Sequence, residues 1–297
     1  MKHVLITGAS SGIGYECVKD LVKLGYHVFG SVRCREDAEK LRHDFGADNC
    51  TPLLFDVTQG QQIKAAVPVV RAEVGQSGLY ALINNAGIAV AGPLNAITLE
   101  QLRFQFEVNL YGQLSVIQAF LPLLGAEKNS PFPPGRIINI SSTSGGRTYP
   151  FMGPYSASKH ALEALSTALR REMLLYGIKV IVIRPASTWT PIWQKVPELT
   201  DYQHNDYYPA LKRMRDYMVN GSRQDMMPAA QVSRVIVRAL TAKNPKHRYV
   251  VTRAGLRDWL MAHVIPDKIL DKIIASKLGF KQIAATVLKK PDGEGGL

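Results

Sequence analysis

Seven short apolar runs, at 3–7, 27–32, 51–55, 79–83, 136–140, 180–183 and 248–251, recur along the chain with helical spacing or polar turns between them. Most are apolar at consecutive positions, so both faces of each strand must be covered, and strands of that kind separated by helices imply a parallel sheet. The predicted fold is α/β, a doubly wound, Rossmann-like parallel sheet with helices on both faces. Helices are expected shortly after Gly14, where Cys17, Val18, Leu21 and Val22 share a face, over 38–45, about 99–124, 155–176, and from Pro228 onward. The chain has 297 residues with 46% hydrophobic and 20% charged, enough for one large domain, and it shows no internal repeat.

That domain is expected over 1–255. It includes a substrate loop at about 187–228 that carries Trp189, Trp193, Tyr202, Tyr207, Tyr208 and Tyr217, and that reads either as a lid over an apolar pocket or as core. Residues 256–297 read as a C-terminal helical extension broken at Pro266, with a disordered tail from Pro291. In the extension, Leu256, Trp259, Leu260, Val264, Ile269, Ile273 and Ile274 can form an apolar stripe beside Arg257, Lys268, Lys272 and Lys277. Packing over the lid or against a subunit is favoured over a peripheral membrane contact.

A net charge of +12 suits nucleic acid, anionic lipid or a phosphorylated small molecule. No zinc-finger spacing or RNA-binding aromatic signature accompanies it, so no nucleic-acid partner is expected. The cysteines, Cys17, Cys34 and Cys50, are odd in number and form no CxxC pair, which fits a reducing compartment. With no signal-peptide pattern and no bilayer-length apolar run, a cytoplasmic location is expected. The histidines show no HExxH-type spacing, so no catalytic metal is expected.

Between the first strand and the first helix lies Thr7-Gly-Ala-Ser-Ser-Gly-Ile-Gly14, with glycines at Gly8, Gly12 and Gly14. Glycines let a backbone turn tightly and approach a ligand, and the helix start offers unpaired N–H groups to a pyrophosphate. The GxxxGxG spacing resembles the short-chain dehydrogenase/reductase family. Asn84-Asn-Ala-Gly87 after the fourth strand, Asn109, Ser142, and Tyr155-Ser-Ala-Ser-Lys159 follow in family order over roughly residues 1–250. Within the family the chain looks most like the retinol, steroid and hydroxybutyrate dehydrogenase branch, by its Ile88–Pro93 and Phe120–Leu123 stretches and its extended C-terminus.

The resemblance implies an oxidoreductase that moves a hydride between a nicotinamide dinucleotide and a carbonyl or alcohol, here of an apolar, steroid-, retinoid- or lipid-like substrate. Tyr155 is then the general acid/base, Lys159 its partner and a ribose ligand, and Ser142 a donor to the substrate oxygen, with Ser141 its rival. Asn109 would stabilise a helix kink and a water chain to Lys159. The implied cofactor contacts are Gly8, Ser10, Ser11, Gly12, Ile13 and Gly14 in the turn, Asp56 and Val57 at the adenine, Asn84, Ala86 and Gly87, Tyr155 and Lys159, and Pro185 with Thr190 at the nicotinamide. Ala186 stands where the family usually has glycine. Relatives also suggest a homodimer or homotetramer packed through the helices of Asn109 and Tyr155.

Tyr155 and Lys159 stack one helical turn apart. An ammonium about 4 Å from a phenol contributes roughly 4 kcal/mol at an effective dielectric of ~20, which would bring a pKa of ~10 down near ~7. His160 points about 100° away and reads as structural. After the second strand no carboxylate appears until Glu36, whereas Arg33 and the Ser10 hydroxyl suit a 2′-phosphate, so NADP(H) is favoured over NAD(H). Two other functions share these motifs: a nucleotide-sugar epimerase or dehydratase, and a non-catalytic dinucleotide sensor.

Overall fold

A computed structural model describes residues 1–192, 199–216, 226–253 and 265–288. Its main sheet has seven parallel strands in the order β3-β2-β1-β4-β5-β6-β9. They are β1 (Lys2–Ile6), β2 (Tyr26–Val32), β3 (Cys50–Leu54), β4 (Ala81–Asn84), β5 (Arg136–Ile140), β6 (Lys179–Pro185) and β9 (Arg248–Val251). The short strands β7 (Thr188–Trp189) and β8 (Met227–Pro228) pair separately. The expected α/β sheet is present, with every strand near its predicted place.

Alternation along the strands divides the core between two layers. Val4, Ile6, Val28, Ile83, Ile138 and Ile181 pack on one face with Val18 and Leu21 of α1 (Gly12–Lys23) and Val232 and Ile236 of α8 (Ala229–Thr241). Leu5, Phe29, Leu82, Ile137 and Val180 pack on the other, against α3 (Gly60–Val74) and α5 (Gly112–Phe120). The sheet is extended from β1 first toward β3 and then, from β4 on, toward the opposite edge, and such a switch in strand order opens a crevice beyond the carboxyl ends of the strands.

Three local features depart from the sequence reading. Helix α3 is an addition to the sequence reading; its buried residues Ile63, Ala66, Val70 and Val74 are helically spaced, and Pro68, which removes one N–H from the helix, sits on its exposed side. The single helix expected over 99–124 is divided into α4 (Leu99–Phe106), a π-helical turn (Glu107–Tyr111), α5 and a final 3₁₀ turn. The aromatic loop holds a short helix, α7 (Tyr208–Arg215), after α6 (Gly153–Glu172) and α2 (Arg35–Phe45) have completed the order.

The extension forms α9 (Asp267–Leu278) and α10 (Phe280–Val287). The rings of Phe151, Tyr207 and Phe280 meet at centroid distances of 5.9, 6.4 and 6.1 Å, which joins the start of α6, the aromatic loop and α10. Phe151 holds a left-handed backbone (φ 65°), a strain tolerated where ring packing fixes the position. Leu270 is buried and Ile273 and Ile274 line the cleft, and Arg213 of α7 bonds to the Leu278 carbonyl of α9. Ile269 is exposed; Leu256, Arg257, Trp259, Leu260, Val264, Trp193, Tyr217 and the 291–297 tail lie outside the described residues. No helix among the described residues is long and apolar enough to cross a membrane.

Candidate active site

A cleft of about 1410 Å³ runs along the carboxyl ends of the strands. At one end it is built from the glycine turn. Gly8 and Gly12 take positive φ (67° and 58°), and a Cβ on Gly14 would collide with the carbonyl of Gly8. Only glycine fits these positions. Thr7 Oγ1 accepts hydrogen bonds from the backbone N–H groups of Asn85 and Ala86, both at 3.0 Å. Asn85 Nδ2 in turn donates to the carbonyls of Thr7 and Gly8, at 3.0 and 2.9 Å. Gly8 N donates to Ser31 Oγ. The turn is therefore held open by its neighbours, with Gly8, Ser10, Ser11, Gly12 and Ile13 on the cleft wall.

This brings most of the predicted cofactor positions together: Arg33, Asp56, Val57, Ala86, Gly87, Tyr155, Lys159, Pro185 and Thr190 all line the same cleft. Two do not. Asn84 is fully buried in β4 and donates across the sheet to Asn139 Oδ1, so Asn85 is the asparagine of that motif at the cleft. Gly14 lies beneath the turn, where its lack of a side chain admits Gly8. Thr190 packs against Gly12. Ala186 needs no positive φ and its N–H is taken by Val251, so alanine replaces the family's glycine without strain.

The other end is built on α6. Pro154 in its first turn has no N–H to satisfy, and Tyr155 and Lys159 follow on its buried face. Lys159 is only 4% exposed, and its Nζ donates to the Ile140 carbonyl at 2.9 Å. Ser142, after β5, is buried and hydrogen-bonded to Tyr155. Asn109 sits in the π-helical turn. Its Nδ2 donates to the Ile88 carbonyl and to Ser158 Oγ, at 3.0 and 3.2 Å, and its Oδ1 accepts from Ile88 N. A Cβ on Gly87 would touch both Asn109 Oδ1 and Lys159 Nζ, which shows how closely the segments meet. His160 is exposed, its Nδ1 next to the Ser156 carbonyl, consistent with the structural role expected of it.

The electrostatics differ from the expectation that Lys159 would draw the phenol toward neutrality. Burial raises the Tyr155 hydroxyl above its ordinary pKa, partly offset by Ser142, while burial lowers Lys159 to about 8. The physical reason is distance and desolvation. Lys159 Nζ stands 5.8 Å from the Tyr155 ring centroid, turned toward Ile140, and both groups have lost water that would stabilise their charged forms.

Sequence reading missed a cluster behind these residues. Glu163, one turn beyond Lys159 and 6% exposed, accepts from Arg184 Nε at 2.7 Å and from Arg248 Nη2 at 3.0 Å. Its carboxylate pulls the Lys159 pKa back upward against burial. The i,i+4 spacing from Lys159 was visible; the pairing of β6 with β9 that brings in both arginines was not.

Among the described residues no cluster of His, Cys, Asp and Glu side chains is placed to hold a metal ion. A nicotinamide dinucleotide fits the residues present. The glycine cradle admits a pyrophosphate that a Cβ would exclude, and one continuous cleft joins it to Tyr155 and Lys159.

Residues 2–200 match the model of the short chain dehydrogenase family. The chain is 39% identical over 279 residues to an NADPH-dependent 3-dehydrocapnine reductase of Ornithobacterium rhinotracheale, covering 94% of this chain and 98% of that one. It is 35% identical to estradiol 17-beta-dehydrogenase 2 of Mus musculus, over 94% of this chain and 75% of the relative. Among solved structures, a short-chain dehydrogenase from Streptomyces avermitilis superposes with a TM-score of 0.73 at 27% identity, covering 96% of this chain and 98% of that one. The chain belongs to the short-chain dehydrogenase family and is an oxidoreductase.

Proposed function

We propose that this short-chain dehydrogenase interconverts a carbonyl and an alcohol on an apolar substrate with NADP(H), and that Tyr155 moves the proton. The observation that carries the reading is the meeting of Ser142, Tyr155 and Lys159 at one end of a cleft whose other end is the glycine turn. A nicotinamide dinucleotide held by the glycine turn and Lys159 would supply or receive the hydride. Tyr155, kept a neutral phenol by its burial, donates its proton to the carbonyl oxygen in reduction and recovers it in oxidation. Ser142 donates to the same oxygen and holds it in line with the phenol. Lys159, anchored on Ile140, is the nearest cation to the tyrosinate formed after transfer. Asn109 keeps the Ile88 segment and Ser158 in place beneath them.

The apolar substrate is supported by the wall around Tyr155, where Ala89, Ala91, Met152, Ile192 and Met214 pack together, and by the similarity to an estradiol dehydrogenase. NADP(H) is supported by Arg33, whose side chain is 65% exposed at the adenosine end, and by the NADPH dependence of the 39% identical relative. Asp56 lies 3.9 Å from Arg33, and its other oxygen accepts from Thr58. The exposed residues Leu99, Phe104 and Tyr111 along α4 and the π-helical turn suit a homo-oligomer packed through that helix.

Tyr155→Phe should lower turnover at least about a hundredfold and leave NADPH affinity nearly unchanged, measured by steady-state kinetics and coenzyme titration. Near-normal turnover contradicts the assignment. Arg33→Ala should weaken NADPH binding about ten- to a hundredfold with little effect on NADH, since a charge-assisted hydrogen bond to phosphate is lost. An unchanged ratio of the two affinities shows that Arg33 does not read the phosphate.

Glu163→Gln removes the charge that raises Lys159 and leaves two arginines that oppose its protonation. Lys159 should then lose its proton at lower pH, so the limb of the pH–kcat/KM profile near 8 moves in the acid direction. A profile that keeps its shape while activity falls assigns Glu163 a purely structural role.

A further inference from the structure

The charges lining the cleft are unevenly placed. Among the described residues Asp56 is the one carboxylate on its wall, and it stands at the adenosine end beside Arg33. Elsewhere its described wall carries Arg147, Lys159, Arg184, Arg213, Arg253 and Lys277 and no second acidic side chain, Arg184 being paired with Glu163 behind it. Arg213 is tied to α9, the helix that carries Lys277. Arg213 Nη1 donates to the Leu278 carbonyl at 3.0 Å, next to Lys277. Gly279 makes this possible: it turns with φ 71°, and a Cβ there would overlap the guanidinium. Neither Arg213 nor Lys277 has a carboxylate partner among the described residues. Arg147 donates to the Ile265 carbonyl, at the start of the same extension.

These cations border apolar surface. Met214, adjacent to Arg213, packs against the group formed by Met152 and Tyr155. Leu270, Ile273 and Ile274 of α9 line the cleft on the same helix as Lys277. Two cations gathered without a counter-ion in a concave site raise the local concentration of anions. A single loop-and-helix assembly thus offers an oxyanion site and a hydrocarbon channel, both next to the proton-transfer residues.

We propose that the substrate is an anionic amphiphile, a hydrocarbon chain with a reacting carbonyl or hydroxyl carbon and a terminal oxyacid group, whose oxyanion is held by Arg213 and Lys277. The inference rests on the hydride-transfer reading for the reacting carbon and adds the head group. A guanidinium and an ammonium both bind oxyanions by charge-assisted hydrogen bonds, so carboxylate, sulfonate and phosphate share the required chemistry.

The test uses the full chain with NADPH and three probes of equal chain length: an oxo fatty acid, its methyl ester, and the plain alkyl ketone. Binding is followed by equilibrium dialysis and turnover by coenzyme oxidation. The acid should bind about tenfold more tightly than the ester. Lys277→Gln should reduce that preference several-fold, Arg213→Gln should do so as well, and Arg213→Lys should retain most of it. Lys277 makes no side-chain hydrogen bond among the described residues, so Lys277→Gln reads the charge even if Arg213→Gln unsettles α9. Equal affinities of acid and ester, or no binding of any probe, overturns the proposal even when the ketone is reduced. A preference for the acid that depends on Lys277 with no turnover of any probe upholds the head-group site and refutes the hydride reading instead. Sedimentation with phosphatidylglycerol vesicles is the remaining arm: Lys277-dependent vesicle binding with no acid-over-ester preference reassigns the cations to a lipid surface and overturns the proposal.

Discussion

The ammonium of Lys159 is almost wholly withdrawn from water, and much of the surrounding architecture compensates for that withdrawal. An isolated buried cation would lose its proton, so the chain supplies a carbonyl at one side, Ile140, and a carboxylate one helical turn away, Glu163. Glu163 is itself buried and is held by two arginines from neighbouring strands. Removing one partner of such a buried pair costs about 3 to 5 kcal/mol because it leaves an uncompensated charge, so the cluster ties α6 to β6 and β9. Tyr155 inherits its position from the same helix. Tyr155, Lys159 and the sheet are thus one mechanical unit.

The two ends of the cleft are specified by different kinds of constraint. At the glycine turn, backbone approaches backbone, and Thr7 and Asn85 hold the turn by hydrogen bonds that leave no room for a side chain at Gly14. At the far end, side chains from α6, the aromatic loop and the C-terminal extension interlock around Phe151, Tyr207 and Phe280. The first arrangement suits a ligand shared by a whole family. The second is built from side chains rather than backbone.

What the sequence made legible follows from range. The β-strands, the glycine turn and the Tyr155–Lys159 spacing are local patterns, and each strand appears close to where the apolar runs place it. The π-helical turn at Asn109 is invisible to a 3.6-residue period, because a single inserted residue leaves both flanking helices looking continuous. Asn84 and Asn85 are adjacent and chemically identical, and only the alternation of β4 decides which one reaches the cleft. For Tyr155 a helical spacing gives proximity to Lys159 but not burial, and burial raises the phenol. Glu163, Arg184 and Arg248 meet only through the parallel pairing of strands far apart in sequence.

The central claim is that this cleft performs a direct transfer of hydride to a carbonyl carbon beside Tyr155. The most direct measurement uses NADPH carrying deuterium at its transferable position, with a carbonyl substrate and mass spectrometry of the products. The account predicts deuterium on the carbinol carbon of the alcohol, with none released to water. Deuterium that remains on the coenzyme while the substrate is altered, as in an epimerase or dehydratase cycle that returns the hydride, would contradict it.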